Sequence, residues 1–181
     1  LLAHYGGRLG QVAQCNLREL SNHRGLGLAK AAQILAALEL GRRLGEERYA
    51  ERGIHSPDDV FGALGPRIWT LSTEVLIAIL LNARSRLIKI ETISQGTLTE
   101  AAAHPREILR PAIAHSAYAF ILVHNHPSGD PSPSRADRAL TRRIREAAEI
   151  IGIHFHDHVI IGQPSAEGMP AYFSFAEEGM I

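Results

Sequence analysis

Between residues 119 and 162 the chain switches its apolar period twice. The run AFILVHNH is cut off by Pro127, SRADRALTRRIREAAEIIG follows and is closed by Gly152, and a second run, HFHDHVIIG, ends at Gly162. The outer segments read as strands and the middle one as a helix. Proline lacks the N–H that a strand ladder needs, and glycine is favoured just past a helix end. Upstream, EVLIAILLN and LIKIETISQGTL are apolar, partly β-branched runs split by ARSR, which predicts two antiparallel strands. HPREILRPAIAHSA reads as a helix despite Pro111, and SPDDVFGAL opens another with Ser56 as N-cap and Pro57 at the first helical position. Strands that alternate with helices and also lie side by side imply an α/β domain with a mixed sheet in three layers. The tail after Gly162 carries glycine and serine but no clear period.

The N-terminal part differs. LGLAKAAQILAALELGRRL, residues 26–44, predicts a helix from its Ala and Leu content, after a short helix around Leu9–Cys15. The charged stretch GEERYAERGIHS reads as a linker or a frayed helix end. The expected organisation is a helical module at residues 1–52 and an α/β domain at 53–181. Residues 1–45 hold six basic and two acidic side chains, a net +4, although the whole chain is neutral with 19 of each sign. The asymmetry favours a basic N-terminal module. A hydrophobic content of 45% is enough for a real core. The single cysteine, Cys15, excludes an intrachain disulfide and a cysteine-rich zinc site, and fits a cytoplasmic protein. The longest apolar run, Val75 to Leu81, is strand-sized, so no membrane partner is expected.

The chemistry concentrates in HNHPSGDPSPSRAD, residues 124–137. On a strand, residues two apart share a face, so His124 and His126 present two imidazoles side by side. Asp137 follows in the first turn of the next helix, three residues after Ser134, a natural N-cap. Two histidines and a carboxylate suit a catalytic zinc, which takes three protein ligands and keeps one position open. A second reading is open on spacing alone. A His-x-His pair before a loop arises by chance, and the helix dipole favours aspartate near a helix start in any case.

The spacing His-x-His, seven residues, Ser, two residues, Asp resembles the JAMM motif of MPN+ metalloproteases, here His124, His126, Ser134 and Asp137. With SQGTL before it, HPRE between and DHVIIG after, the chain resembles the bacterial RadC family more closely still, from about residue 9 to residue 175. The resemblance implies a three-layer MPN/JAMM-type fold, related to cytidine deaminases, behind a helix-hairpin-helix region. It also implies an N-terminus shortened relative to the family. It implies a zinc-dependent hydrolase of peptide or isopeptide bonds, with one Zn2+ per chain held by His124, His126 and Asp137 and a protein or peptide as substrate. Glu74 in STEVLIAILLN matches the family's general base, with Glu107 in HPRE as the alternative, and Ser134 would help hold the oxyanion.

A rival cluster, HFHDH, alternates His154, His156 and His158, so all three are expected on one strand face. Its end residues would then lie about 13 Å apart, too far for one ion. DHVIIG selects Asp157 and His158 as supports of the metal site rather than ligands. In RGLGLAK, Gly25 and Gly27 precede a helix whose first turns carry Lys30, which resembles a DNA-phosphate-binding hairpin. A tight turn between helices has the same residues. The alternative function is therefore a DNA-binding protein of repair or recombination, with a structural or nuclease-like metal.

Overall fold

The computed structural model describes residues 1–7, 9–96, 104–164 and 171–181. The chain divides into two compact units, Leu1–Arg48 and Tyr49–Ile181. In the first, a 3-10 turn at Leu2–Tyr5 precedes helices α1 (Leu9–Gln14), α2 (Leu17–Ser21) and the start of α3 (Leu28–Arg52). Val12, Leu20 and Ala31 form its small core, with Ile34, Leu35 and Leu38 packed against them. Asn16 and Glu19 close a capping box at α2.

Of the two readings of the charged stretch GEERYAERGIHS, a linker or a helix end, the helix holds: α3 continues to Arg52, and its residues from Tyr49 on belong to the second unit. Glu, Arg and Ala are good helix formers, and one glycine at position 45 costs only about 1 kcal/mol. The break falls at Gly53, whose φ is 87°. A Cβ there would also lie 2.9 Å from the Ser85 carbonyl oxygen, so both backbone angle and space demand glycine. Among the described residues no helix is long and apolar enough to cross a membrane.

The second unit contains α4 (Pro57–Ile68), β1 (Val75–Leu81), β2 (Leu87–Gln95), α5 (Pro105–Ala114), β3 (Ala119–Asn125), α6 (Arg135–Ile151), β4 (His154–Ile161) and β5 (Tyr172–Ser174). The sheet order is β2-β1-β3-β4-β5, with β3 and β4 parallel and the other neighbours antiparallel. The expected mixed sheet in three layers is thus present. β5 was not legible in the tail, and residues 97–98 of the expected second strand lie outside the described residues, as do 165–170.

β1 and β3 are buried along their whole length because both sheet faces are covered. Ile77, Ile79, Ile121 and Val123 pack with Val60, Leu64 and Ile68 of α4. Leu76, Leu80, Phe120 and Leu122 pack on the other face with Ile108 and Leu109 of α5 and Leu140 and Ile144 of α6. Each fully buried Leu, Ile or Phe contributes about 1.5–3 kcal/mol, so packing rather than propensity positions these helices. It also offsets the backbone hydrogen bond that Pro111 removes from α5, itself worth about 3 kcal/mol with the ring clash.

β4 corrects one reading. Phe120 pairs with Phe155, but Ile121 pairs with Asp157 and Leu122 with His158, so a bulge interrupts the alternation at His156. The three histidines therefore do not share a face. His158 turns inward beside Leu122, whereas His154 and His156 stay exposed.

Candidate metal centre

The centre forms where β3 ends and α6 begins. His124 is the last inward residue of β3 on the α5–α6 face, directly across from Leu76 of β1. His126 lies just past the strand, its N–H donating to the Ile161 carbonyl oxygen (3.0 Å). The turn that follows is tightly packed. A Cβ on Gly162 would collide with the Gly129 carbonyl oxygen and lie 2.7 Å from Pro131, so the loop lies directly against the end of β4. The chain then enters α6 through a capping box. Ser134 Oγ accepts from the Asp137 N–H (3.2 Å), and Asp137 Oδ2 accepts from the Ser134 N–H (2.7 Å). That reciprocal pair fixes the Asp137 carboxylate toward the end of β3.

As a result, His124 Nε2 stands 3.1 Å from His126 Nε2 and 3.3 Å from Asp137 Oδ1, and His126 Nε2 stands 3.6 Å from Asp137 Oδ2. One atom from each residue fits within a 4.8 Å span, so the three can hold a metal ion. Burial alone would raise the Asp137 carboxyl, but the adjacent His124 and His126 rings and the Ser134 N–H hold it far below the ordinary carboxylate range. The Asp137 carboxylate beside it raises His126, against the opposing effect of burial. The other nitrogens of the two rings are also occupied. His126 Nδ1 donates to the Asp130 carbonyl oxygen (2.8 Å), and His124 Nδ1 meets His158 Nε2 (2.9 Å). Outer partners of this kind orient a ligand ring and choose which nitrogen it presents.

Glu74 is half-buried just before β1. Continuing the β1–β3 register by two residues puts it opposite His126, on the same face as Leu76 and His124. Its charge acts on His126. Glu107 does not share that environment; it pairs with Arg106 and Arg110 along α5. Two residues that sequence reasoning passed over complete the site. Asn125 is fully buried, its Oδ1 accepting from the Val75 N–H (2.8 Å) and its Nδ2 donating to the Thr73 carbonyl oxygen (3.2 Å). It grips the backbone on both sides of Glu74. Thr141 Oγ1 lies 2.7 Å from His158 Nδ1. The only available signal was the i, i+4 spacing of Asp137 and Thr141 on one helix.

Asp157 and His158 take different positions. His158 is fully buried, and desolvation pushes it well below the usual imidazole range, so it is neutral. Its ring stacks on Phe175 (centroids 4.9 Å apart, planes at 10°). Asp157 faces away and accepts from Ser174 Oγ (2.6 Å), the Ala176 N–H (2.9 Å) and the His158 N–H (2.7 Å). It thereby holds the segment that presses Phe175 onto His158. Burial raises its carboxyl even against these three bonds. In the other unit, Gly25 has a φ of 85° in the turn before α3, Gly27 follows, and Lys30 is exposed in the first turn of that helix.

The sequence pattern described as a RadC-like JAB domain matches residues 54–180. Among relatives, a UPF0758 protein of Trichlorobacter lovleyi is 44% identical over all of this chain and 76% of its own length. Another, of Rubrobacter xylanophilus, is 46% identical over 97% of this chain and 74% of its own length. A third, of Desulforamulus reducens, is 49% identical over 85% of this chain and 68% of its own length.

Proposed function

The chain belongs to the RadC family, and from that premise we propose that it is a zinc-dependent hydrolase of peptide or isopeptide amide bonds. The observation that carries the reading is the convergence of His124 Nε2, His126 Nε2 and an Asp137 oxygen beside Glu74. The donor set fits the ion. Two imidazoles and one carboxylate, each oriented by a further hydrogen bond, are the ligands that a catalytic zinc takes. The chemistry that a bound zinc supplies is Lewis acidity, which polarises a carbonyl and lowers the pKa of water to about 7. The protein supplies the rest. Glu74 accepts the proton of the attacking water and returns it to the leaving amine. Ser134 Oγ already accepts from the Asp137 N–H, which leaves its own proton for the oxygen that gains charge. His124, His126 and Asp137 keep their positions throughout, because β3 and the α6 capping box are set by folding.

Chelator-stripped protein is expected to leave a pool of unstructured peptides intact, and zinc reloading to produce new amine termini visible by mass spectrometry. Stoichiometric zinc uptake with no cleavage of peptides or of lysine-linked isopeptides would defeat the hydrolase reading.

A second reading concerns the N-terminal unit. The turn at Gly25 and Gly27 is exposed, with open space where side chains would stand, and Arg24 and Lys30 flank it in solvent. Backbone N–H groups and two cations in that arrangement suit a phosphate of DNA. Affinity for duplex DNA of any sequence is expected to fall steeply with salt, and the Arg24→Ala, Lys30→Ala double variant to flatten the slope by about two. Salt-independent or absent binding would remove this reading and leave the hydrolase untouched.

A further inference from the structure

We propose that Thr141 and His158 are positioning residues that hold a proton on His124 Nδ1, so that Nε2, beside His126 and Asp137, is the nitrogen of that ring left to bind a metal. The inference rests on the reading of His124 as a metal ligand. It comes from the direction of three buried hydrogen bonds.

The chain of bonds starts at a group that cannot donate. Thr141 Oγ1 lies 2.7 Å from the Asp137 carbonyl oxygen, so the threonine proton sits between them. A hydroxyl has one proton, and Thr141 can therefore only accept at its second contact, His158 Nδ1 at 2.7 Å. His158 Nδ1 then carries the N–H. A neutral imidazole has one donor and one acceptor, which makes His158 Nε2 the acceptor. Its partner is His124 Nδ1 at 2.9 Å, so that nitrogen holds a proton. What remains on His124 is Nε2, the atom that stands 3.1 Å from His126 Nε2 and 3.3 Å from Asp137 Oδ1.

The opposite order has a local cost. A Thr141 proton turned to His158 would leave two oxygens facing each other at 2.7 Å with no proton between. It would also reverse each later bond and place the His124 hydrogen on Nε2, where a ligand needs its lone pair. Water cannot repair the fault, because His124, Thr141 and His158 are each at most 2% exposed. The path closes on itself. It leaves the backbone carbonyl of Asp137, passes through Thr141, His158 and His124, and returns to the Asp137 side chain. The helix that brings the carboxylate thus also dictates which nitrogen of His124 meets it. A neutral histidine occupies the place that a carboxylate or a backbone carbonyl commonly takes behind a ligand histidine.

The test reads the proton positions directly. Metal-free protein labelled with 15N-histidine is observed by two-bond 1H–15N correlation at mildly alkaline pH, where imidazole is neutral. His124 and His158 are both expected as Nδ1–H tautomers. Thr141→Val keeps the shape but removes the acceptor. It is expected to move the protons of both rings toward Nε2 and to weaken zinc binding about 10–100-fold by calorimetry. Thr141→Ser, which restores the hydroxyl, is expected to behave as wild type in both measurements, and a dispersed amide spectrum verifies the fold of each variant. An Nε2–H tautomer of His124 in the wild type would overturn the proposal, as would a Thr141→Val protein with unchanged tautomers and zinc affinity. Wild-type protein that shows the expected tautomers but takes up no zinc would overturn the metal reading instead.

Discussion

Asp137→Ala is expected to abolish metal binding, taking the protein from about one zinc per chain to none by mass spectrometry of tag-free material. The effect is large because this carboxylate does two things at once. It is one of three converging donors, and it is the acceptor that closes the α6 capping box on the Ser134 N–H. Loss of the cap alone costs about 0.5–2 kcal/mol and lowers the melting temperature of the metal-free protein. Asp137→Asn separates the two roles. Its side-chain oxygen still accepts from Ser134, so the metal-free protein should melt close to wild type. The missing charge should still weaken zinc binding, because a neutral amide replaces an anion beside two histidines. Wild-type zinc stoichiometry in Asp137→Ala would mean that the ion binds elsewhere, and the assignment of HNHPSGDPSPSRAD would fall.

Glu74→Gln should separate binding from chemistry. The amide has the same shape, and Asn125 still grips the backbone at Thr73 and Val75. Zinc content and melting temperature are therefore expected to stay at wild-type values. Hydrolysis should fall by about 10²–10⁴-fold, the usual contribution of a positioned proton-transfer group. Glu107→Gln serves as the comparison, because that carboxylate pairs with Arg106 and Arg110 on α5 and is expected to matter little. Full activity in Glu74→Gln with loss in Glu107→Gln would exchange the two roles. Loss of zinc from Glu74→Gln would make Glu74 a ligand rather than a base.

The elements of the α/β unit were legible because their signals are local. Pro127 ends β3, Gly152 with a φ of 78° ends α6, and Ser56 and Ser134 start helices by accepting from the N–H three residues on. The metal-ligand candidates were legible for the same reason. Two histidines two apart at a strand end, and an aspartate at the third position of a capped helix, have positions set by the geometry of their own elements. The misreadings also have local causes. Of the two readings of residues 45–52, a linker or a frayed helix end, the linker fails because charge on Glu and Arg is compatible with a solvated helix. β5 has three residues, too few for a period to appear.

The sequence by itself determined the order of strands and helices from α4 to β4 and the spacing of His124, His126 and Asp137, since each depends on neighbours within a few residues. Tertiary structure alone decided what stands behind and beside them. Val75 meets Asn125 across 50 residues, and His124 meets His158 across 34. Both contacts depend on strand register, and the second also needs the bulge at His156 that turns His158 inward. A one-residue shift of register reverses every side chain on a strand, so no local pattern encodes these pairs. They exist because two sheet faces are buried at once, and burial admits only one alignment of β1, β3 and β4.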